Sequence, residues 1–174
     1  NYRQDSYVKM KLIEESEIGS FCREHGINLV NLRLWGATGA HMTEPRKYAI
    51  GDLIYQNEVS EVIEIKSGHK VFRRYADASE QMMVCALAAL SGMDITLESG
   101  GTVMEIEELA KVIVEYSGSK KLIKRPIFTN SSSDEYYSES RKMEELANSF
   151  GLELSDMQKQ IALTSSAVRK SMLR

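Results

Sequence analysis

The chain is poor in the residues that build covalent frameworks and metal sites. Its 174 residues include two cysteines, two prolines, three histidines and a single tryptophan. Cys22 and Cys85 both fall within helical, apolar patterns. They read as small buried hydrophobes in a reducing compartment rather than as a disulfide or a metal pair. His25, His41 and His69 are scattered and give no ligand spacing for a metal. No apolar run approaches the length of a membrane span and no signal peptide opens the chain, so no membrane partner is expected and the cytoplasm is the default location. The net charge of -3 gives no electrostatic reason for binding nucleic acid. The chain opens on Asn1 rather than Met, with a helical pattern already near Tyr7, so its beginning reads as a boundary created by processing or by where the piece was cut.

What is present has the composition of one ordinary folded unit, long enough to bury a single core. Strand and helix patterns alternate. A first helix is expected from an Asp5 or Ser6 cap to about His25, stopped by Gly26. The nearly continuous apolar run over 27–35 predicts a strand buried on both faces, as in a parallel sheet. A short helix follows near 52–59. Clean alternation over 62–66, then Ser67-Gly68-His69, predicts a hairpin returning through 71–75. Asp77-x-x-Glu80 reads as a capping box for a helix to Leu90 that is apolar nearly all round and so deeply buried. A short strand is expected over 94–97. Thr102-x-x-Glu105 reads as a second capping box, opening a helix with Ile106, Leu109, Ala110, Ile113 and Tyr116 on one face and Gly118 at its end. A strand over 120–125, a serine loop at 131–133 and helices over 138–149 and 155–173 complete an α/β pattern.

The strand ending at Trp35 runs into Gly36-Ala37-Thr38-Gly39-Ala40. A glycine-rich turn after a strand can hold a pyrophosphate on the next helix N-terminus. Here residues 41–47 carry no apolar helical stripe, and the third glycine of the dinucleotide fingerprint is absent. The loop is better read as a ligand loop at the carboxyl end of a parallel strand.

Tyr7 and Lys11 lie one helical turn apart on one face. A phenol is a poor base at neutral pH, and a neighbouring ammonium favours its phenolate. Such a tyrosine can exchange a proton with a sugar hydroxyl while a nicotinamide exchanges hydride with the same carbon. The same spacing also occurs on solvated helices. Tyr7-Val8-Lys9-Met10-Lys11, with Glu14-Glu15 and then Gly26-Ile27-Asn28-Leu29-Val30-Asn31-Leu32-Arg33, resembles the catalytic helix and next strand of the extended short-chain dehydrogenase/reductase family. Leu32-Arg33-Leu34-Trp35-Gly36-Ala37-Thr38-Gly39-Ala40-His41 is similar to the corresponding segment of the family's 4-epimerase branch. Phe72-Arg73-Arg74-Tyr75, Ser99-Gly100-Gly101-Thr102, and Ser133-Asp134 followed by Lys142 resemble later segments, in family order.

The resemblance implies the C-terminal part of a Rossmann-type parallel sheet plus a small α/β substrate-binding domain. Residues 1–35 would end the dinucleotide-binding domain, and 36–174 would form mainly the substrate-binding portion. It implies an NAD(P)-dependent nucleotide-sugar epimerase, dehydratase or reductase. Tyr7 would be the acid/base and Lys11 the anchor of an NAD or NADP ribose, with Leu34 and Ala37 also against the cofactor. Gly36, His41, Arg73, Tyr75 and Asp134 would surround a nucleotide-sugar, with Arg73 as the diphosphate clamp. The missing N-terminal half of the same protein, carrying the cofactor loop, is an expected partner, and so is a second copy in a homodimer. Some positions depart from the pattern. Gly36 stands for the usual asparagine, Arg74 and Glu80 for aspartates, and Ser131 for a second phosphate-binding arginine that Arg125 could replace. These departures motivate an alternative, a non-catalytic nucleotide-sugar-binding or interaction module.

Overall fold

The computed structural model describes residues 2–128 and 132–173. Helix α1 spans Tyr2–Glu24, opening upstream of the Asp5 and Ser6 caps, which lie inside it. A capping preference of about 1 kcal/mol is too weak to set a helix start alone. The helix ends as expected. Gly26 adopts a left-handed φ of 64°, and His25 Nδ1 lies 2.8 Å from the Phe21 carbonyl.

The next strand, β1 (Val30–Arg33), runs parallel to β5 (Ile95–Glu98), with Val30 beside Ile95 and Arg33 beside Glu98. The parallel pairing agrees with the apolar pattern, but burial on both faces does not hold: Val30, Asn31 and Leu32 are half-buried and Arg33 is exposed. Among the described residues β1 has no strand on its second edge. Helix α3 (Ala78–Leu90) and α5 (Lys142–Ser149) close the other side, packing Val84, Cys85, Leu97, Met143 and Ala147 into a small core.

A second, larger core lies under three helices: α2 (Ala49–Val59), which follows a 3-10 turn at Pro45–Lys47, α4 (Ile106–Ser117) and α6 (Met157–Met172). Ile50, Ile54, Leu109, Ile113 and Ile161 meet there against Ile63, Ile65 and Tyr75. Each such side chain contributes roughly 1.5–3 kcal/mol by leaving water. The organising strand is β4 (Lys70–Asp77). It pairs parallel with β2 (Ala37–Thr38) and β8 (Ser133–Tyr136), and antiparallel with β6 (Thr102–Glu105).

Several sequence expectations are corrected here. The 62–66 segment forms β3 (Val62–Glu64), but its partner is β7 (Leu122–Lys124), in parallel, so there is no hairpin with 71–75. Alternation identified the strand and its buried isoleucines without identifying its neighbour. Helix α3 is not buried all round: Met82, Met83 and Leu90 are 61%, 54% and 85% exposed. Only one of its faces meets the β1–β5 pair. Asp77 caps it by accepting from the amides of Ser79 and Glu80 at 2.9 and 3.1 Å. Glu80 does not return the bond and instead binds Ser155 through both amide and hydroxyl. Thr102–Glu105 is strand β6, and Glu105 caps α4 by accepting from the Glu107 amide at 2.8 Å. Tyr116, placed on the buried face by periodicity, is 48% exposed. The helix expected over 138–149 begins only at Lys142; β8 ends at Tyr136, and residues 137–141 are neither strand nor helix.

Cys22 and Cys85 are free and buried, and burial pushes the Cys85 thiol up. Among the described residues no acidic, histidine or cysteine cluster could hold a metal, and no helix is long and apolar enough to cross a membrane.

Candidate functional site

Two clefts meet at strand β8. The first, about 550 Å3, is bounded by α1, β1 and the residues after it, and is lined by Tyr7, Lys11, Leu34, Trp35, Glu98 and Tyr136, among others. An ion pair ties helix α1 to β1. Arg33 donates Nε and Nη2 to the two Glu15 oxygens at 3.0 and 2.7 Å, and Nη1 reaches Glu98 at 3.4 Å. That forked hydrogen bond holds the Glu15 carboxyl below its usual range despite partial burial. The pair therefore fixes the face of α1 that carries the tyrosine and lysine.

Tyr7 and Lys11 do share that face, with the Lys11 ammonium 5.8 Å from the centre of the Tyr7 ring. The same ammonium donates to Glu14 at 2.7 Å. That hydrogen bond, and then the attraction of the carboxylate, holds the Lys11 ammonium above its usual range. Lys11 is thus a permanent cation beside a phenol that is 55% exposed in an open cleft. Across the cleft, Trp35 and Tyr136 pack edge to face with ring centres 4.9 Å apart.

The second cleft, about 460 Å3, lies beyond β8 and is lined by Arg46, Lys47, Lys66, His69 and Arg73 together with Asp52, Glu64 and Asp134. Sequence reasoning identified only Arg73 and Asp134 of this set. The cations come from three separate segments, and the sequence pattern marks His69 only as a turn residue. Arg46 is held by stacking on Tyr55, with its guanidinium carbon 3.7 Å from the ring centre. Arg73 donates to the Asp134 carboxylate at 2.6 Å and to its carbonyl at 3.0 Å.

Arg125 does not supply a second anion clamp. Its buried guanidinium donates to Glu105 and Glu107 and to the carbonyls of Ser67 and His69. It fixes the wall of the basic cleft from behind. Ser131 lies outside the described residues, as do Thr129 and Asn130.

Other expected site residues are placed differently. Tyr75 is 4% exposed, within the larger core, and lines neither cleft. Burial is the chief reason its phenol is pushed up to about 12. His41 is exposed and is not among the residues lining either cleft. Gly36 is glycine because the backbone of Arg74 passes over it: a Cβ would stand 2.3 Å from that carbonyl oxygen. Its own carbonyl accepts from the Ala76 amide at 2.9 Å, and Ala37 continues as β2. Gly101, at φ 101°, has the same origin, since a Cβ would meet the Tyr75 carbonyl oxygen at 2.0 Å.

Comparison with known proteins rests on structure. No family model matches the chain, and no curated protein sequence matches it. Among solved structures, UDP-N-acetylglucosamine 4-epimerase from Methanobrevibacter ruminantium M1, in complex with UDP-N-acetylmuramic acid, superposes with a TM-score of 0.73 at 17% identity. It covers 95% of this chain and 54% of its own. UDP-glucose 4-epimerase from Thermotoga maritima, with UDP-glucose, gives 0.67 at 21% identity, covering 91% and 51%. The fold is that of the C-terminal part of these epimerases. A dTDP-glucose 4,6-dehydratase from Bacillus anthracis, in complex with NAD, shares it with a TM-score of 0.66 at 12% identity, covering 90% and 49%. The chain spans about half the length of the epimerase and dehydratase structures it matches.

Proposed function

We propose that this chain is the catalytic-helix and substrate-binding portion of an NAD(P)-dependent nucleotide-sugar epimerase, dehydratase or reductase. The observation that carries the reading is the joining of two clefts at one strand. Tyr136 of β8 walls the cleft that holds Tyr7 and Lys11, while Asp134, two residues earlier, walls the basic cleft beside Arg73. A sugar in the first cleft and a nucleotide diphosphate in the second would be linked across β8. The epimerase-like fold supports the same reading.

Tyr7 takes the proton from a sugar hydroxyl as the carbon is oxidised, and returns it as the carbonyl is reduced. Lys11, kept protonated by Glu14, stabilises the phenolate that forms in between. When bound, a nicotinamide cofactor supplies the hydride acceptor for that carbon. Lys11 and Leu34 fit the nicotinamide-ribose end, since both line the cleft beside Tyr7. No glycine-rich strand-to-helix turn for the pyrophosphate occurs among the described residues. Arg73, whose Nη groups are held by the Phe72 carbonyl and by Asp134, sets its positive charge beside the substrate diphosphate, aided by the cations of Arg46, Lys47 and Lys66.

Calorimetric titration of the protein with UDP tests this reading. Binding that is lost in Arg73→Met supports it, and a protein that binds neither UDP nor dTDP overturns it. The alternative, a nucleotide-sugar-binding module without chemistry, is favoured by one observation: Lys11 directs its ammonium to Glu14 at 2.7 Å. Sugar-nucleotide binding with no response to added NAD in the full-length protein selects that alternative.

A further inference from the structure

Strand β8 is a wall of both clefts, yet it has almost no core of its own. From 132 to 142 every residue is exposed or half-buried, and all four residues of β8 are exposed. Side-chain burial therefore does not hold this strap in place. Its first half is held by the ladder to β4, from Lys70 beside Ser133 to Arg73 beside Tyr136, and by the Arg73–Asp134 pair. Its second half lies past the ladder and depends on the next arginine.

Arg74 points to the opposite face of β4 and is 5% exposed. Its guanidinium donates to the carbonyls of Ser138 at 2.6 Å, Ser140 at 2.7 Å and Gly101 at 3.3 Å, and to the Glu144 carboxylate at 2.6 Å. The same Glu144 oxygen accepts from the Gly101 amide at 3.1 Å. One planar fork thus ties four places together: β4, the turn before β6, the far end of the strap and the first turn of α5. A lysine, with one compact ammonium, cannot span these acceptors at once. Adjacent arginines on alternate faces of one strand pin the two ends of the strap.

We propose that Arg74 is the positioning residue of the substrate site. It touches neither cleft, and it holds the 132–141 strap where Asp134 faces the Arg73 guanidinium and Tyr136 faces Trp35. The assignment of a substrate to these clefts rests on the proposed function; the anchoring of the strap does not.

Trp35 is the only tryptophan, and its ring lies against Tyr136 of the strap, so its fluorescence reports strap position directly. In the full chain, Arg74→Gln is expected to shift Trp35 emission to the red and to weaken UDP about tenfold or more. Arg74→Lys should recover part of both effects, and saturating UDP should move the emission back. Trp35 emission and UDP affinity indistinguishable from the parent's in folded Arg74→Gln would overturn the proposal. If that variant does not fold, Glu144→Gln removes the partner charge while keeping its shape and is judged by the same two readouts. If the parent chain binds neither UDP nor dTDP, the functional reading fails, and Trp35 emission alone then decides whether Arg74 anchors the strap; if it binds only dTDP, dTDP replaces UDP in these readouts.

Discussion

Gly36 lies directly beneath the backbone carbonyl of Arg74, so close that a first side-chain carbon would stand 2.3 Å from the oxygen. An asparagine at this position, as in the resembled family, cannot be accommodated with β4 where it is. The departure at Gly36 is therefore a consequence of backbone packing.

Gly36→Ala should lower stability by about 1–3 kcal/mol, the usual cost of overpacking a site lined by backbone. Thermal melts of parent and variant check this. A melting temperature unchanged in Gly36→Ala would show that β4 can move away from the loop.

On the proposed function, Tyr7→Phe in the full-length protein should reduce turnover by about 10²- to 10⁴-fold, the range for a positioned acid/base. Affinity for UDP, which the proposed function assigns to the basic cleft, should stay close to that of the parent. Steady-state rates with an NAD-linked readout and calorimetry separate the two effects. Undiminished turnover removes Tyr7 from the mechanism.

Acid should loosen the wall of the basic cleft. Burial pushes the Glu105 carboxyl up, but hydrogen bonds from Arg125 and from the amides of Val71 and Glu107 outweigh it, leaving the group below its ordinary 4.5. For Glu107 the Lys111 and Arg125 contacts act in the same direction. A carboxyl depressed on folding contributes stability that is complete above the unfolded value and is lost as pH falls through the folded one. Melting temperature should therefore fall below about pH 4.5, and less steeply in Arg125→Met, which has already lost the pairing. Parallel pH profiles for the two proteins would contradict this account.

Arg125→Met should also be costly at neutral pH, by about 1–3 kcal/mol, because it leaves the half-buried Glu105 without its counter-ion. The carbonyls of Ser67 and His69 lose their donor as well. Hydrogen exchange should show the 65–69 segment opening first, with weaker UDP binding. Protection of that segment equal to the parent's would place the effect elsewhere.

The corrected environment of α3 gives a contrasting pair. Met83→Gln, on an exposed face, should change stability by no more than about 0.5 kcal/mol. Leu97→Ala, fully buried beneath the same helix, should cost about 2–5 kcal/mol. Equal losses would mean that α3 is covered in solution.

Local chemistry was legible in the sequence wherever it depends on neighbours along the chain. Tyr7 and Lys11 share a face because four residues make about one helical turn. Gly26 and Gly118 end helices because each adopts a left-handed conformation that glycine accepts most easily. The apolar run at 27–35 marked β1 and its parallel character, though not its partner β5, and motif resemblance singled out Arg73 and Asp134, which the structure pairs. Tertiary structure alone decided the rest. It paired β3 with β7, because alternation marks a strand without naming its neighbour. It exposed one face of α3, because burial depends on what stands opposite. It brought Arg46 beside Lys66, His69 and Arg73 in one basic cleft. It also made Tyr75 a core residue, turned Arg125 into a clamp, and set Arg74 against four acceptors drawn from three segments that lie far from it in sequence. Such contacts arise from long-range packing, which residue order expresses only after the chain has folded.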